Sequence, residues 1–414
     1  MSRATTVDSE PSGDDPPPAR KATPSIRTRR FRTWLMRLGA LAAGGMVSLA
    51  LVEIVLRIYN PIHVPLRAHE IALPANQVFR YRVEGATKID PIIVNEYNSL
   101  GMRGPEKPDD FDAATTVVTV GGSTTECVGL TDAHAWPAVL HKLLAAQHKD
   151  VWLNNAGMNG HSTFGHLVLM RQFLAKLHPD FALFLMGIND VGRGDLNEYD
   201  RRIDPAQASG LTPIIRHSEL LCTAQVLWRT ARAYDLGLAF NGEIDFANLD
   251  ERVAPSDRMD DEITKHRRLF VPEYEQRVRT LVAECRTAGI QSVLLTQPAV
   301  YGDAIDPTTG RNLATMDVDG ASGLLKWRTL ELYNDVTRRV AAENHLLLID
   351  VARAMPKDSR LYADYIHYSP AGAAKLAEIV ARGLESELTA RRTRQPATAL
   401  IHGPGPLPNF ARGS

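Results

Sequence analysis

The chain has 414 residues, of which 44% are hydrophobic and 23% are charged, and its formal net charge is -1. This composition is typical of a globular protein with one large domain or two smaller ones, and it lacks the overall basic field that indicates nucleic acid binding. The cysteines are too widely spaced for a zinc-binding pattern, and at most one disulfide could join two of the three, Cys127, Cys222 and Cys285.

The N-terminal segment combines a polar tail with an apolar run. Residues 1–30 are rich in Ser, Pro, Asp and Arg, which predicts a disordered basic tail, because few of these side chains could be buried. An uncharged stretch, LGALAAGGMVSLALV, follows from Leu38 to Val52. It reaches the length of a membrane span if its flanks within residues 31–60 contribute. The arginines before it predict a cytoplasmic N-terminus and an extracytoplasmic remainder.

This pattern predicts a single-pass signal anchor in the cell membrane, and two alternatives stay open. A cleavable signal peptide has similar basic and apolar parts, although the small residues Ser48 and Ala50 lie inside the apolar run. A buried helix of a soluble protein is the other alternative. Glu53 and Arg57 lie one helical turn apart and could form an ion pair.

The remainder divides into a stem, one large domain and a tail. Residues 61–112 are interrupted by prolines and lack long periodicity, so we predict a stem with a turn-rich element, NEYNSLGMRGPE. Residues 113–390 carry a regular pattern of strands and helices. Residues 391–414 are rich in Pro, Gly and Arg and are predicted to be disordered.

Short apolar runs alternate with helical patterns in the large domain. Runs bounded by Gly, Pro, Asn or Asp are typical of strands buried on both faces of a parallel sheet, and they occur at 115–120, 151–157, 181–187, 292–298 and 346–350. Amphipathic helices are predicted at 134–147, 164–177, 273–288, 326–342 and 370–388. The alternation predicts an α/β fold, a three-layer α/β/α sandwich with a parallel, flavodoxin-like sheet of about five strands. Residues 191–265 are too long for an ordinary loop and are predicted to form an inserted, partly helical cap.

Polar residues collect at the carboxyl ends of the predicted strands, where ligands bind in open parallel sheets. Ser123 follows the first strand, Gly160 lies in a glycine loop after the second, and Asn189 follows the third. Asp364 and His367 precede the last helix. Each residue alone is more typical of a cap, a turn or a surface pair. Their occurrence together at one sheet edge indicates a functional site.

This set of side chains is suited to acyl transfer by a serine. A serine hydroxyl needs a base, which His367 can provide, and Asp364 can orient the imidazole. The oxyanion of a tetrahedral intermediate needs hydrogen-bond donors, and the candidates are the backbone N–H groups of Ser123 and Gly160 and the side-chain amide of Asn189. Further candidates for substrate contact lie beside these residues and are Gly122, Thr124, His161 and Asp190.

The four motifs resemble those of the SGNH/GDSL hydrolase superfamily, which is named for Ser, Gly, Asn and His blocks. They read VTVGGSTTE, NNAGMNGHST, MGIND and DYIHYSPAGAAKLA, and the match covers about residues 115–388. The resemblance implies the roles given above and places the oxyanion glycine at Gly160 rather than Gly157. One departure is Gly122, where the commonest family motif, Gly-Asp-Ser-Leu, has Asp. That Asp is not a triad member, and the Gly-Gly-Ser-Thr form resembles a membrane-anchored branch of the family.

The predicted function is that of a membrane-tethered, extracytoplasmic serine esterase that hydrolyses short-chain or acetyl esters of a small molecule or glycan. No metal, organic cofactor or nucleic acid partner is predicted. Two alternatives stay open, a polysaccharide O-acetyltransferase or deacetylase with the same acyl-serine intermediate, and an inactive SGNH-fold binding or assembly protein. A metal-dependent hydrolase is disfavoured, because Asp364, His367 and His161 complete no recognised ligand spacing.

Overall fold

The computed structural model describes most of the chain, at residues 26–59, 66–67, 70–71, 73–148, 150–194, 217–224, 227–228, 242–253 and 255–394. Much of the predicted cap and most of both predicted disordered tails lie outside these residues. The chain divides into two compact units, Met1–Asn60 and Pro61–Ser414.

The first unit is described by one helix, α1, at Ile26–Ile58. Its segment Thr33–Ile58 has 26 residues and is long and apolar enough to cross a membrane by length and composition, which a signal sequence can also be. The helix begins inside the residues predicted as a disordered tail. Arg57 Nε donates to Glu53 Oε1 at 2.8 Å, so the predicted ion pair is present.

The strands of the second unit form one large sheet and three pairs within the described residues. In chain order they are β1 Leu66–Arg67, β2 Glu70–Ile71, β3 Val78–Arg82, β4 Ile92–Glu96, β5 Thr115–Gly121, β6 Val151–Asn155, β7 Phe181–Leu185, β8 Gln291–Leu295, β9 Asp317–Val318, β10 Ala321–Ser322 and β11 Leu347–Ile349. The large sheet is parallel and has the order β6-β5-β7-β8-β11. This is the flavodoxin-like order, so the predicted sheet is confirmed.

Helices connect and follow these strands. They are α2 Ser123–Glu126, α3 Trp136–Gln147, α4 Thr163–Leu169, α5 Ala175–Leu177, α6 Ser256–Leu269, α7 Val271–Thr287, α8 Gly323–Glu343, α9 Val351–Ala354 and α10 Pro370–Arg394. A π-helical turn, Met170–Leu174, joins α4 to α5. The last helix continues beyond its predicted end at 388 and into the residues predicted as a disordered tail.

Helices cover both faces of the sheet, because the strands are apolar on both sides. Val117 and Leu183 pack on one face among residues of α3 and α10. Val118 and Phe184 pack on the other face among residues of α4, α7 and α8. The predicted three-layer α/β/α sandwich is therefore confirmed, and its layers leave the carboxyl ends of the strands as the edge where loops can form a site.

The segment predicted as a stem, residues 61–112, lies within the second unit. Its strands β3 and β4 form an antiparallel hairpin. Arg103 and Asn155 of the edge strand β6 exchange backbone hydrogen bonds of 3.1 and 2.9 Å. The side chain of Asn98 donates to Asn154 Oδ1 at 2.7 Å. The turn-rich element therefore packs along the edge of the sheet.

The described C-terminal part of the predicted cap is attached to the turn between β3 and β4. The carboxylate of Glu243 accepts backbone N–H groups from Thr87 at 2.5 Å, from Ile89 at 2.9 Å and from Lys88. Helix α6 begins inside the cap and contacts α7 and α8. This part of the cap thus contributes packed structure to the domain.

Candidate active site

Ser123 lies at the sharp turn between β5 and α2. The strand ends at Gly121, Gly122 has an extended backbone (φ -87°, ψ -151°), and the helix begins at Ser123. From the sequence alone, Ser123 could have been the N-cap of this helix. In the structure Gly122 is the N-cap, and Ser123 is the first residue of the helix. As the first helical residue, Ser123 has an N–H group without an acceptor inside the helix. Its hydroxyl and its N–H group both lie at the carboxyl edge of the sheet.

His367 connects Ser123 to Asp364. Its Nε2 lies 2.7 Å from Ser123 Oγ, and its Nδ1 lies 2.6 Å from Asp364 Oδ2. The other carboxylate oxygen, Asp364 Oδ1, accepts the backbone N–H groups of Ile366 at 2.8 Å and His367 at 2.7 Å. A carboxylate at Nδ1 favours the tautomer with its proton on that nitrogen, which leaves Nε2 to accept the serine proton.

The carboxyl group of Asp364 is stabilised in its ionised form. Burial alone would raise its pKa, but hydrogen bonds from the His367 ring and from the backbone of His367 and Ile366 hold the pKa below its ordinary value. An ionised Asp364 can stabilise the imidazolium that forms when His367 takes a proton.

The glycine loop packs directly against α2. A Cβ atom at Gly157 would overlap the backbone nitrogen of Glu126, so the approach requires glycine. The Asn155 side chain joins the two segments, since its Nδ2 donates to Thr125 O at 2.9 Å and its Oδ1 accepts from Gly157 N at 2.8 Å. Gly160 has a φ of +74°, in the left-handed region that favours glycine. The loop thus reaches the turn that carries the serine.

Asn189 lies against the same turn. Its Nδ2 donates to the backbone oxygen of His161 at 2.9 Å. A Cβ atom at Gly122 would overlap this nitrogen and lie 3.1 Å from His161 O. A primary amide has two N–H donors, so the second can serve an oxyanion. The absence of a side chain at Gly122 is what allows Asn189 to approach, which gives the departure from Gly-Asp-Ser-Leu a physical meaning.

Gly122→Ala is expected to displace the Asn189 amide and to lower kcat for p-nitrophenyl acetate. The loss of one oxyanion donor lowers kcat by about 10²–10³-fold, and this factor is the upper limit of the decrease expected for Gly122→Ala. Gly194→Ala is the control, because a Cβ there comes no closer than 3.8 Å to any side chain that the structure describes, and kcat should not change. An unchanged kcat in the Gly122 variant would contradict the role of the Asn189 amide.

The other predicted contact residues have protein partners in this structure. Thr124 is buried, and its hydroxyl donates to Gln297 Oε1 at 3.1 Å. Asp190 is fully buried and accepts from Thr163 Oγ1 at 2.5 Å. We now propose that Thr124 and Asp190 position the loops of the site. His161 lies next to Asn189 through its backbone oxygen.

A cleft of about 1160 Å³ opens beside His367. Its lining includes Asn159 of the glycine loop, Arg252 and His266 from the end of the cap and α6, and Leu325 of α8. Pockets for drug-sized ligands have volumes of about 300–1,000 Å³. The cleft therefore has room for a substrate much larger than an acetyl group.

Metal ligation is not indicated by the side chains that the structure describes. Among these residues, no group of three or more His, Cys, Asp or Glu side chains could hold a metal ion. Asp364 and His367, which were considered as ligands above, are hydrogen-bonded to each other. The prediction of a site without cofactor stays a prediction.

Two residues that the sequence analysis did not single out lie behind the serine turn. Arg103 is buried, pairs with Asp132, and donates from Nη1 to the backbone oxygen of Glu126 at the end of α2. The Glu126 side chain is buried there, which raises the pKa of its carboxyl group, and its Oε2 has no hydrogen-bond partner among the described residues. In the sequence, Arg103 lies in the NSLGMRG element and Glu126 ends the GGSTTE motif. The spacing of these residues does not predict that the two segments are in contact.

Comparisons with known proteins return hydrolases. Residues 119–375 match the GDSL-like Lipase/Acylhydrolase family. Esterase TesA of Pseudomonas aeruginosa is 34% identical over 82 residues, and the match covers 20% of this chain and only 41% of TesA. One similar solved structure is the acetylxylan esterase Axe2 from Geobacillus stearothermophilus, which is 18% identical, with a TM-score of 0.38, and the match covers 66% of this chain and 94% of that chain. Another is LAE5, an alpha/beta hydrolase enzyme from the metagenome of Lake Arreo, Spain, which is 20% identical, with a TM-score of 0.37, and the match covers 67% of this chain and 96% of that chain.

Proposed function

The chain belongs to the GDSL-like lipase/acylhydrolase family, whose model matches residues 119–375, and from this premise we propose that it is a serine esterase acting on short-chain acyl esters. The resemblance to the SGNH/GDSL superfamily, which the four motifs predicted, is thereby confirmed. The observation that carries the proposed activity is the hydrogen-bonded series Ser123, His367 and Asp364, with distances of 2.7 and 2.6 Å.

The first half of the reaction forms an acyl-enzyme. His367 Nε2 takes the hydroxyl proton of Ser123 while Oγ attacks the ester carbonyl carbon. The carbonyl electron pair moves to oxygen, and the resulting oxyanion accepts hydrogen bonds from Ser123 N–H, Gly160 N–H and the second N–H of Asn189. When the intermediate collapses, the bond to the alcohol oxygen breaks and the imidazolium of His367 protonates the leaving alcohol.

The second half releases the acyl group. A water molecule gives its proton to His367 Nε2 and attacks the acyl carbon, which forms a second oxyanion at the same donors. Collapse of this intermediate breaks the bond to Ser123 Oγ, and the imidazolium returns the proton to that oxygen. The products are a carboxylic acid and the regenerated serine.

The size of the cleft favours a second candidate, acyl transfer to a sugar hydroxyl. A volume of about 1160 Å³ beside His367 accommodates several sugar rings, and a bound glycan hydroxyl could replace water in the second half. Hydrolysis remains the primary proposal, because it requires no acceptor besides water.

The fate of the acyl group tests both candidates. The full-length chain in detergent is incubated with p-nitrophenyl acetate and rising concentrations of neutral oligosaccharides, and p-nitrophenol, acetate and acetylated sugar are quantified. An esterase yields equal amounts of acetate and p-nitrophenol at every sugar concentration. A shortfall of acetate matched by acetylated sugar would establish transfer. Absence of p-nitrophenol release above the buffer rate would contradict both candidates and favour a binding protein.

We also propose that α1 anchors the protein in the cell membrane, with the residues after α1 outside the cytoplasm. The proposal rests on the 26-residue apolar segment Thr33–Ile58 and on the arginines that precede it. An anchor remains in membranes after alkaline carbonate extraction, and the mature chain retains the mass of the full sequence. A shorter, soluble mature chain that lacks α1 would identify a cleaved signal peptide instead.

A further inference from the structure

We propose that Gln297 is a positioning residue for acyl transfer, whose side chain holds Thr124 and thereby fixes the turn that carries Ser123. The inference rests on the proposed function, because it assigns Gln297 a role behind the same nucleophile. Gln297 follows β8 at the carboxyl edge of the sheet. The exit of this strand provides none of the proposed triad or oxyanion residues, so the inference gives it a part in the site.

The turn that carries Ser123 needs support from other elements, because α2 is only about one turn long. It has four residues, Ser123–Glu126. Its first hydrogen bonds are those from the backbone of Thr125 and Glu126 to Gly122 O, at 3.0 and 2.9 Å. A helix this short does not maintain its own geometry in water. The distance of 2.7 Å between Ser123 Oγ and His367 Nε2 therefore depends on tertiary contacts of the turn.

Thr124, which directly follows the nucleophile, is held on two sides. Its hydroxyl donates to Gln297 Oε1 at 3.1 Å, and its backbone oxygen accepts from Trp136 Nε1 at 3.1 Å. All three residues are buried, with at most 1% of their surface exposed. Water cannot readily replace a hydrogen bond that is lost there, so each buried polar group depends on its protein partner. The residue next to Ser123 is thus fixed from the start of α3 and from the end of β8.

The Gln297 side chain starts from a fixed backbone and has a defined orientation. Asn334 of α8 accepts the backbone N–H of Gln297 at 2.8 Å and donates from Nδ2 to Gln297 O at 3.1 Å. The amide nitrogen of the Gln297 side chain donates to Pro298 O at 2.9 Å, and a carbonyl oxygen can only accept. The amide oxygen therefore faces Thr124 and receives its hydroxyl proton. Gln297 thus directs an acceptor at the serine turn.

Substitutions at both ends of this hydrogen bond test its role. Thr124→Val keeps the volume and removes the hydroxyl, and Gln297→Met keeps the length and removes the acceptor. Each should lower kcat for p-nitrophenyl acetate by roughly 5–50-fold, which is less than the factor of about 10² expected for a displacement of about 1 Å at the reacting atoms. The Trp136 contact remains and limits the displacement. Thr124→Ser retains the hydroxyl and should keep kcat close to the wild-type value.

The double variant shows whether the two side chains act through one hydrogen bond. Because each single substitution already breaks this bond, Thr124→Val combined with Gln297→Met should have a kcat near that of the slower single variant. A kcat reduced by the product of the two single factors would show independent effects and would overturn the hydrogen bond as the cause.

A transition-state analogue supplies a readout that reduced stability alone would not change. A trifluoromethyl ketone forms a covalent, oxyanion-bearing adduct with the serine. Its Ki should therefore rise in Thr124→Val and in Gln297→Met by the same factor as kcat/KM falls. An unchanged Ki in variants with a lower kcat/KM would contradict a role in positioning Ser123.

Two matched controls carry the same substitutions elsewhere. The buried hydroxyl of Thr337 pairs with Tyr274 Oη at 3.1 Å, so Thr337→Val should lower the melting temperature without changing kcat. Gln291 begins β8 and donates from Nε2 to Glu387 Oε2 at 3.0 Å on the exposed surface, so Gln291→Met should also keep its kcat. A decrease of kcat in Thr337→Val equal to that in Thr124→Val would assign the effect to stability and overturn the inference.

The outcomes distinguish the role of Gln297 from the proposed function. Wild-type kcat in Thr124→Val and Gln297→Met, together with loss of activity in Ser123→Ala, would overturn the role of Gln297 alone. If Gln297→Met does not fold, the comparison of Thr124→Val with Thr124→Ser decides, because only the former removes the hydroxyl. Full activity in Ser123→Ala would instead overturn the proposed function.

Discussion

Ser123→Ala is expected to lower kcat for p-nitrophenyl acetate by roughly 10⁴–10⁶-fold, with a smaller change in KM. The substitution removes the oxygen that attacks the carbonyl carbon. His367 Nε2, which lies 2.7 Å from this oxygen, then has no nucleophile to activate. The fold should be retained, because Gly122 and not Ser123 occupies the cap position of α2, and the partner of the serine hydroxyl among the described residues is His367. Steady-state kinetics with melting curves measure both properties.

Ser162→Ala is the matched control for this prediction. Ser162 caps α4 in the neighbouring glycine block, and its hydroxyl accepts from Phe164 N at 3.3 Å. Removing a cap costs about 0.5–2 kcal/mol of stability, so the variant should melt at a lower temperature with little change in kcat. If Ser123→Ala behaved like Ser162→Ala, with lower stability and intact turnover, the serine would be structural and the proposed mechanism would be wrong.

Asp364→Asn is expected to lower kcat by about 10⁴-fold. An Asn side chain can keep its oxygen toward the backbone N–H groups of Ile366 and His367, which places its NH₂ group against His367 Nδ1. That nitrogen must then accept, so the imidazole proton moves to Nε2, and Nε2 can no longer accept a proton from the serine. Asp319→Asn, at another carboxyl group lining the cleft, should leave kcat nearly unchanged.

The same variant has an expected pH signature in stability. The pKa of Asp364 is held below its ordinary value, which is about 3.9 for an unfolded chain. A depressed pKa stabilises the fold above the ordinary value, and this contribution disappears as pH falls through the depressed value. The stability difference between wild type and Asp364→Asn should therefore be largest near neutral pH and shrink below about pH 4. A difference that grows in acid would contradict an ionised Asp364.

The sheet and the proposed triad could be predicted from the sequence for related reasons. Continuous apolar runs such as TTVVTV indicate strands buried on both faces, and parallel strands bring their carboxyl ends to one edge. Residues far apart in the chain, such as Ser123 and His367, can then be expected together without a contact map. The structure places them within 2.7 Å.

Other parts could not be predicted because they depend on contacts that carry no periodic signal. Residues 61–112 look like a stem by composition, yet Arg103 pairs with the edge strand and reaches the end of α2. Glu126 resembles an ordinary helix acid, yet its Oε2 atom is excluded from solvent. Gly122 shows the opposite case, in which an odd residue in a known motif is explained once the position of Asn189 is known.

Covalent labelling of the full-length chain with a fluorophosphonate, followed by peptide mass mapping, tests the central claim most directly. The reagent forms a bond from the serine oxygen to phosphorus and releases fluoride. We expect one phosphonyl group per chain on Ser123, none in Ser123→Ala and much slower labelling in Asp364→Asn. Ester hydrolysis by a chain that takes no label at Ser123, or equal labelling of Ser123→Ala at another residue, would contradict the assignment of Ser123 as the nucleophile.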